Sequence, residues 1–221
     1  FASEGVEAVA VCLLHAYQNP VHELAIRERL TKMLPGASVS LSSEVLPEIN
    51  EYARTSTTVV NAYTKPLMER YLSNLEASLN RQGLRGRLLV MLSSGGVASV
   101  DTAANFPVRV IESGPVGGAI MGQRIKEIAE ISAAFSFDMG GTTAKVCLLQ
   151  GDEPARASEY EVARVHRFKV GSGIPLKVPC VDLLEIGAGG GSIADISPLG
   201  LLQVGPESAG SDPGPLCYGL N

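Results

Sequence analysis

The chain has 221 residues, 45% of them hydrophobic and 19% charged, with a formal net charge of -5. That apolar content can bury the core of one large or two modest domains, which excludes a disordered chain. The acidic balance, the dispersed Lys and Arg, the absence of Trp and the low aromatic share exclude a nucleic-acid surface.

In chain order, Val6 to Leu14 predicts a buried strand, and Asn19-Pro20 starts a helix patterned by Leu24, Arg27, Leu30 and Leu34. Pro35-Gly36 stops it. Ser38 to Ser42 predicts a second strand, so the opening reads as a unit of an α/β layer. Glu51 to Thr64 and Pro66 to Gln82 follow as two helices, or as one helix kinked at Pro66, with Leu67, Tyr71, Leu75 and Leu79 as the later apolar stripe. Arg87 to Leu92 returns as a strand with Ser93-Ser94-Gly95-Gly96 at its carboxyl end, where open α/β sheets bind ligands. A helix is expected from Glu112-Ser-Gly-Pro to about Ile131, its first turn offering unpaired N–H groups. From Phe135 to Gly189 the pattern is strands and turns, so the shift near residue 132 marks the expected domain boundary.

The run from Ala134 to Leu149 carries the most chemistry. Two β-type apolar segments flank Asp138, Gly140, Gly141, Thr142 and Thr143. Glycines that turn with φ > 0 bring consecutive N–H groups and threonine hydroxyls to a phosphate, and Asp138 can hold hydrated magnesium or orient a water. Taken alone, the same residues also fit an ordinary Gly-Gly hairpin.

Six segments occur in order: Leu41-Ser-Ser-Glu-Val-Leu-Pro-Glu48, Arg54-Thr-Ser-Thr-Thr-Val-Val-Asn-Ala-Tyr63, Glu112-Ser-Gly-Pro-Val-Gly-Gly118, Asp138-Met-Gly-Gly-Thr142, Ile186-Gly-Ala-Gly-Gly-Gly-Ser192, and Val204-Gly-Pro-Glu-Ser-Ala-Gly-Ser-Asp-Pro-Gly-Pro215. Together they resemble the hydantoinase A/5-oxoprolinase family of the actin-like ATPase superfamily. The resemblance implies an α/β fold of two partial actin-like, ribonuclease H-like lobes with mixed sheets, the second more strand-rich. Residues 1–131 would end the first lobe and 132–221 begin the second. It also implies an interior stretch of a longer chain, since an upstream phosphate hairpin and a downstream adenosine-binding segment are absent.

The activity implied is ATP-dependent opening of a hydantoin or 5-oxoproline ring through phosphorylation of the carbonyl. Alternatives are a ketone carboxylase subunit of the acetone-carboxylase type and a non-catalytic, nucleotide-gated assembly module. ATP and Mg2+ are the expected cofactors, neither binding this stretch tightly. A cyclic amide substrate and a hydantoinase B-like subunit or fused domain are the expected partners, with no nucleic acid and no membrane.

Site candidates follow from the same motifs. Asp138 is the metal-positioning and catalytic carboxylate, with Gly140, Gly141, Thr142 and Thr143 on phosphate. Ser113 and Gly114 open a helix, as a cap or as an anion site. Gly189 and Gly190 sit in a glycine-rich segment that is either a flexible connection or a loop against nucleotide. Asp182 and Glu185 are candidate acid, base or metal groups, with Asp182 preferred because family members often place His near the Glu185 position. The family commonly has an acidic residue where this chain has Lys145, which adds a phosphate contact or sits at the surface. Arg54 with Thr55, Ser56 and Thr58 contacts a substrate or partner, or caps a helix. Asp212 reads as a turn former.

Cys12, Cys147, Cys180 and Cys217 lack a C-x-x-C pair, and free thiols are expected. His15, His22 and His166 are too scattered for zinc. The Ala8 to Leu14 run is too short to span a bilayer, and a cytoplasmic location is expected.

Overall fold

The computed structural model describes residues 2–165 and 171–220, so His166 lies outside the described residues. The first elements are β1 (Ala8–Val11), α1 (Val21–Met33), β2 (Ser38–Leu41), α2 (Ser42–Val45), α3 (Glu51–Arg81), β3 (Leu89–Met91), β4 (Val97–Ser99) and α4 (Val100–Asn105). They are followed by α5 (Ser113–Ile128), β5 (Ala133–Met139), β6 (Ala144–Gln150), β7 (Arg156–Ala157), β8 (Tyr160–Val162) and β9 (Ile174–Leu176). The last are β10 (Cys180–Val181), β11 (Leu184–Ile186), β12 (Ser192–Ile196) and β13 (Leu202–Ser208). The fold is mixed α/β with several small sheets.

Two compact units result, Phe1–Ser113 with Ala157–Cys180, and Gly114–Arg156 with Val181–Asn221. This division differs from a single cut near residue 132, and the reason is packing. Helix α5 lays Val116 and Ala119 against Cys147 and Leu149 of β6, so the helix belongs with the strands that follow it.

In the first unit β1 and β2 pair in parallel, Ala8 opposite Ser38 through Val11 opposite Leu41. The core joins Val45, Val108, Leu176 and Val178, with Val60, Phe106 and Tyr160 packed on it. Helix α3 is continuous through Pro66, and its interior face is largely polar: Arg54, Thr57, Thr58 and Asn61 are fully buried. Leu67 and Tyr71, expected inside, are exposed, while Leu72 is buried. On α1 the buried residue is Glu23. Ser93 to Gly96 closes the antiparallel β3–β4 hairpin through Leu92 N–H to Gly96 O (2.8 Å) and Gly95 N–H to Leu92 O (3.0 Å). It is therefore a tight turn, not the open carboxyl edge of a parallel sheet.

Most of these buried polar atoms are held by partners, Arg54 Nε being an exception. The Glu23 carboxylate accepts from Ser42 Oγ (2.6 Å) and from the N–H groups of Leu13 (2.9 Å) and Ser43 (2.9 Å). Burial pushes this carboxyl up, and the hydrogen bonds from Ser42, Ser43 and Leu13 outweigh it, leaving it below the usual glutamate range. Arg54 donates to Leu13 O (2.7 Å) and Glu48 O (3.0 Å) and lies 5.4 Å from the Tyr17 ring centre. The peptide groups flanking Leu13 are thus gripped from both sides.

The second unit is built on the antiparallel sheet β11–β6–β5 and the ribbon β12–β13. Opposite residues share a face, and successive residues alternate. One face, with Cys147 and Leu149, packs under α5. The other presents Phe135, Phe137 and Leu184, which are 72%, 57% and 64% exposed.

Candidate functional site

The strands β5 and β6 form the expected hairpin, with Met139 opposite Ala144 and Asp138 opposite Lys145. Its loop, Gly140 to Thr143, is closed by Gly140 N–H to Thr143 O (2.9 Å). Neither Gly140 nor Gly141 takes a positive φ, which corrects the expected reason for these glycines. The close approach is made instead by the segment from Gly187 to Ser192. Gly190 N–H donates to Gly140 O (2.9 Å) and Gly191 N–H to Gly141 O (2.7 Å). A Cβ on Gly189 would fall 2.6 Å from Gly140 O and 2.8 Å from Gly141 O, so only glycine fits there.

This clamp fixes where the loop amides point. In a planar trans peptide the N–H points opposite to its own carbonyl. With the Gly140 and Gly141 carbonyls turned onto Gly190 and Gly191, the N–H groups of Gly141 and Thr142 point away from that segment. Among the described residues those two amides, and that of Thr143, donate to no protein acceptor. Consecutive amides aimed the same way form a concavity suited to an anion. Gly140, Gly141 and Thr142 are exposed, and Thr143 is half-buried. Further along the chain, Ala209 N–H donates to Gly191 O (2.8 Å), and a Cβ on Gly205 would lie 2.7 Å from Gly187 O. Three sequence signatures, distant along the chain, are knitted here into one structure.

The direction of α5 adds to this end of the sheet. Toward its C-terminus Gln123 Nε2 (3.1 Å) and Lys126 Nζ (2.5 Å) both donate to Gly151 O, just beyond the far end of β6. Gly118 and Gly122 lie over Ser136, where their missing side chains make room for β5. The helix start, from Gly114 onward, therefore runs toward the hairpin end, carrying the positive end of its dipole. Ser113 is the first helical residue.

Across the same face runs a row of charge. Asp138 is opposite Lys145, and Lys145 is opposite Glu185, in register. Lys145 Nζ is 3.5 Å from Glu185 Oε1. Asp138 is exposed. Asp182 is not brought to this end: it precedes Leu184, which is opposite Val146, so it lies farther along β6 from the hairpin. Its N–H donates to Ala155 O (2.8 Å). Burial pushes the Cys147 thiol up, and the charge of Asp182 adds to the shift. Of the two carboxylates, Glu185 is the one beside the hairpin.

The remaining candidates belong to the first unit. Arg54 is buried in its scaffold and Thr58 Oγ1 donates to Arg54 O (2.7 Å), so this cluster braces the fold. Glu112 N–H donates to Ser93 Oγ (3.3 Å). Burial pushes the nearby Tyr160 phenol up, and the charges of Glu112 and Cys180 push it further. The four cysteines are free thiols. His15 and His22 are exposed, and among the described residues no three His, Cys, Asp or Glu side chains gather as a metal cluster. No helix among the described residues is long and apolar enough to cross a membrane.

This mixed α/β architecture, with its glycine-clamped hairpin, defines a class that comparison identifies. The hydantoinase/oxoprolinase family model matches residues 54–220, and the model of the family's N-terminal region matches residues 1–34. The chain belongs to the hydantoinase/oxoprolinase family.

Among its relatives, an uncharacterised protein of Methanocaldococcus jannaschii is 46% identical over 96% of this chain and 32% of its own length. The caprolactamase subunit alpha of Pseudomonas jessenii is 36% identical over 99% of this chain and 30% of its own. The crystal structure of that organism's ATP-dependent caprolactamase matches with a TM-score of 0.74, 35% identity and coverage of 100% of this chain and 30% of its own. A nucleotide-free acetone carboxylase, from a study of ATP-dependent acetone carboxylation, matches with a TM-score of 0.78, 28% identity and coverage of 95% and 29%. The chain spans less than a third of the length of each.

Proposed function

We propose that this chain supplies a phosphate-holding hairpin to an ATP-dependent enzyme that opens cyclic amides of the hydantoin or 5-oxoproline type. The observation that carries the reading is the pair of outward amides at Gly141 and Thr142, without acceptors among the described residues and fixed by the Gly190–Gly191 clamp. Two N–H donors held before a ligand arrives lose little entropy on binding and are aimed where negative charge collects. In the two-lobe arrangement the resemblance implies, the hairpin belongs to the second lobe.

A lactam carbonyl resists attack by water because the amide is resonance-stabilised. Transfer of the γ-phosphoryl group to the carbonyl oxygen removes that resistance: a C–O–P linkage forms as the bond to ADP breaks. Water then adds at carbon, the ring C–N bond breaks as the nitrogen takes up a proton, and an acyl phosphate remains; a second water adds at that carbon and the C–O bond to phosphate breaks, releasing the carboxylate and phosphate. The chain's own residues would position the phosphate through Gly141 N–H, Thr142 N–H and the Thr142 and Thr143 hydroxyls. Magnesium fits an exposed carboxylate next to phosphate, and Asp138 would hold it; once bound it neutralises phosphate charge. Asp182 keeps its place as a candidate acid or base only for a substrate reaching beyond the hairpin end.

The experiment is isotope transfer in the full-length protein. With a cyclic amide carrying oxygen-18 at the carbonyl, the released inorganic phosphate should acquire the label. ATP turnover with unlabelled phosphate would contradict carbonyl phosphorylation.

A second reading is a ketone carboxylase, favoured by the TM-score of 0.78 to acetone carboxylase. The phosphate chemistry is shared, and ATP turnover that needs both a ketone and bicarbonate would select it. A second subunit or fused domain fits either reading, since one relative is named as a subunit alpha.

A further inference from the structure

We infer that the first unit carries a binding cleft for a small zwitterionic amino carboxylate, with Ser40 and Lys65 taking its carboxylate and Glu44 its ammonium. The cleft encloses about 290 Å3 between β2, α2, α3 and the end of α4, and Ser40, Glu44, Val45, Asn61, Lys65 and Phe106 line it. All belong to the first unit, and the inference stands apart from the phosphate reading made for the second. Small-molecule sites run from about 300 to 1,000 Å3, so a cleft at the bottom of that range suits a ligand of amino-acid size.

Hydrogen bonding shows which wall groups are spent. Asn61 is fully buried, donates from Nδ2 to Ser40 Oγ (3.0 Å) and Asn105 O (3.1 Å), and accepts from Val108 N–H (3.3 Å). Its amide is committed to the scaffold. Ser40 Oγ accepts that bond and keeps its own O–H to give. Ser40 is 3% exposed, and among the described residues this hydroxyl donates to no protein acceptor. A buried donor left open is costly until a ligand or water takes it.

Lys65 is also under-used. Its side chain is 11% exposed, and its ammonium donates to Val39 O at 3.3 Å and pairs with Glu69 Oε1 only at 3.8 Å, beyond hydrogen-bond distance. An ammonium has three donors, so at least one N–H remains without a protein acceptor among the described residues. Glu44 receives Arg27 Nη1 on both oxygens (2.7 Å each), and a carboxylate has about four acceptor sites, so it can take a second donor.

Charge decides the class of ligand. Glu69 balances Lys65 and Arg27 balances Glu44, so a ligand of single charge would bring an uncompensated ion into a partly dry cleft. A carboxylate alone meets Glu44, and an amine alone meets Lys65. A molecule with both sets each end against the opposite sign, while Val45 and Phe106 cover the methylenes between them.

Calorimetric titration of the full-length protein with 4-aminobutyrate, 5-aminopentanoate and 6-aminohexanoate, beside hexanoate and hexylamine, tests this. At least one of the three amino carboxylates should bind, one per chain, and the two singly charged molecules should bind about tenfold more weakly than it. Lys65→Met should weaken amino carboxylate binding about tenfold and Ser40→Ala about threefold, with normal melting. Glu44→Gln should weaken it while leaving hexanoate no weaker than in the wild type. Asp138→Asn should leave it unchanged.

No binding of any of the three, or affinity within twofold of wild type in Lys65→Met, would overturn the inference. Hexanoate binding as tightly as the best amino carboxylate would overturn it too. Should Lys65→Met not fold, Ser40→Ala, which removes a single oxygen, and Glu44→Gln carry the same test. Amino carboxylate binding that Lys65→Met abolishes, in a protein that does not turn over ATP, would uphold the cleft while sinking the phosphate reading; ATP turnover without amino carboxylate binding would do the reverse.

Discussion

The two units spend their polar groups in opposite ways. The first buries Glu23, Arg54, Thr57, Thr58 and Asn61, and pairs most of their polar atoms, Arg54 Nε excepted, with partners such as Ser42, Leu13 O and Ser40 Oγ. The second keeps Asp138 and the amides of Gly141 and Thr142 accessible and without protein acceptors among the described residues. A buried polar group is tolerable only when satisfied, so satisfaction identifies scaffold. Donors held in place and left open identify a place for a ligand.

The contrast breaks most readily at Glu23. Glu23→Ala removes a buried acceptor from three donors and should cost about 3 kcal/mol of stability, read by denaturant melts. Its folded-state pKa is depressed, so its stabilisation is present above the ordinary glutamate value of about 4.3 and is lost as pH falls below it. Melts of the wild type from pH 7 downward should show this loss, and Glu23→Ala should be less sensitive over the same window. Normal melting with abolished turnover would instead put Glu23 in the chemistry and erase the distinction between the units.

Asp138→Asn should do the reverse: about 100-fold or more loss of ATP turnover in the full-length protein, with unchanged melting. Near-wild-type turnover would show that this carboxylate does not position the metal. Gly189→Ala sharpens the comparison by disturbing the clamp alone. The new methyl meets two carbonyl oxygens, so turnover should fall about tenfold, through backbone displacement rather than loss of any reactive group. Thr142→Ala should cost least, about threefold in turnover, because the backbone amides remain.

Legibility in the sequence divides along the same line. The hairpin, the parallel pair of strands and helix α5 could be read from alternation, glycine placement and cap chemistry. The inside face of α3 could not. Hydrophobic period puts Leu67 and Tyr71 inward, yet both are exposed, and Arg54, Thr57, Thr58 and Asn61 are buried beside Ala53, Ala62 and Leu72. Their partners lie on Leu13, Ser40, Asn105 and Lys177, far away in sequence, so no local pattern announces that the polar face is satisfied. The site was legible as motifs but not as an arrangement. Gly189 reads as generic flexibility, although its reason is steric contact with Gly140 and Gly141. The placing of Glu185 rather than Asp182 beside Lys145 depends on strand register, which spacing alone leaves open. The Glu23 network had one signal, a glutamate at helical spacing from Ile26 and Leu30.

The most direct test of the central claim is a crystal structure of the full-length protein with magnesium and a non-hydrolysable ATP analogue. Phosphate oxygens should lie within about 3.2 Å of the N atoms of both Gly141 and Thr142, with the Gly190 and Gly191 clamp retained. Nucleotide bound with its phosphates away from this hairpin, and those amides still unpartnered, would contradict the account.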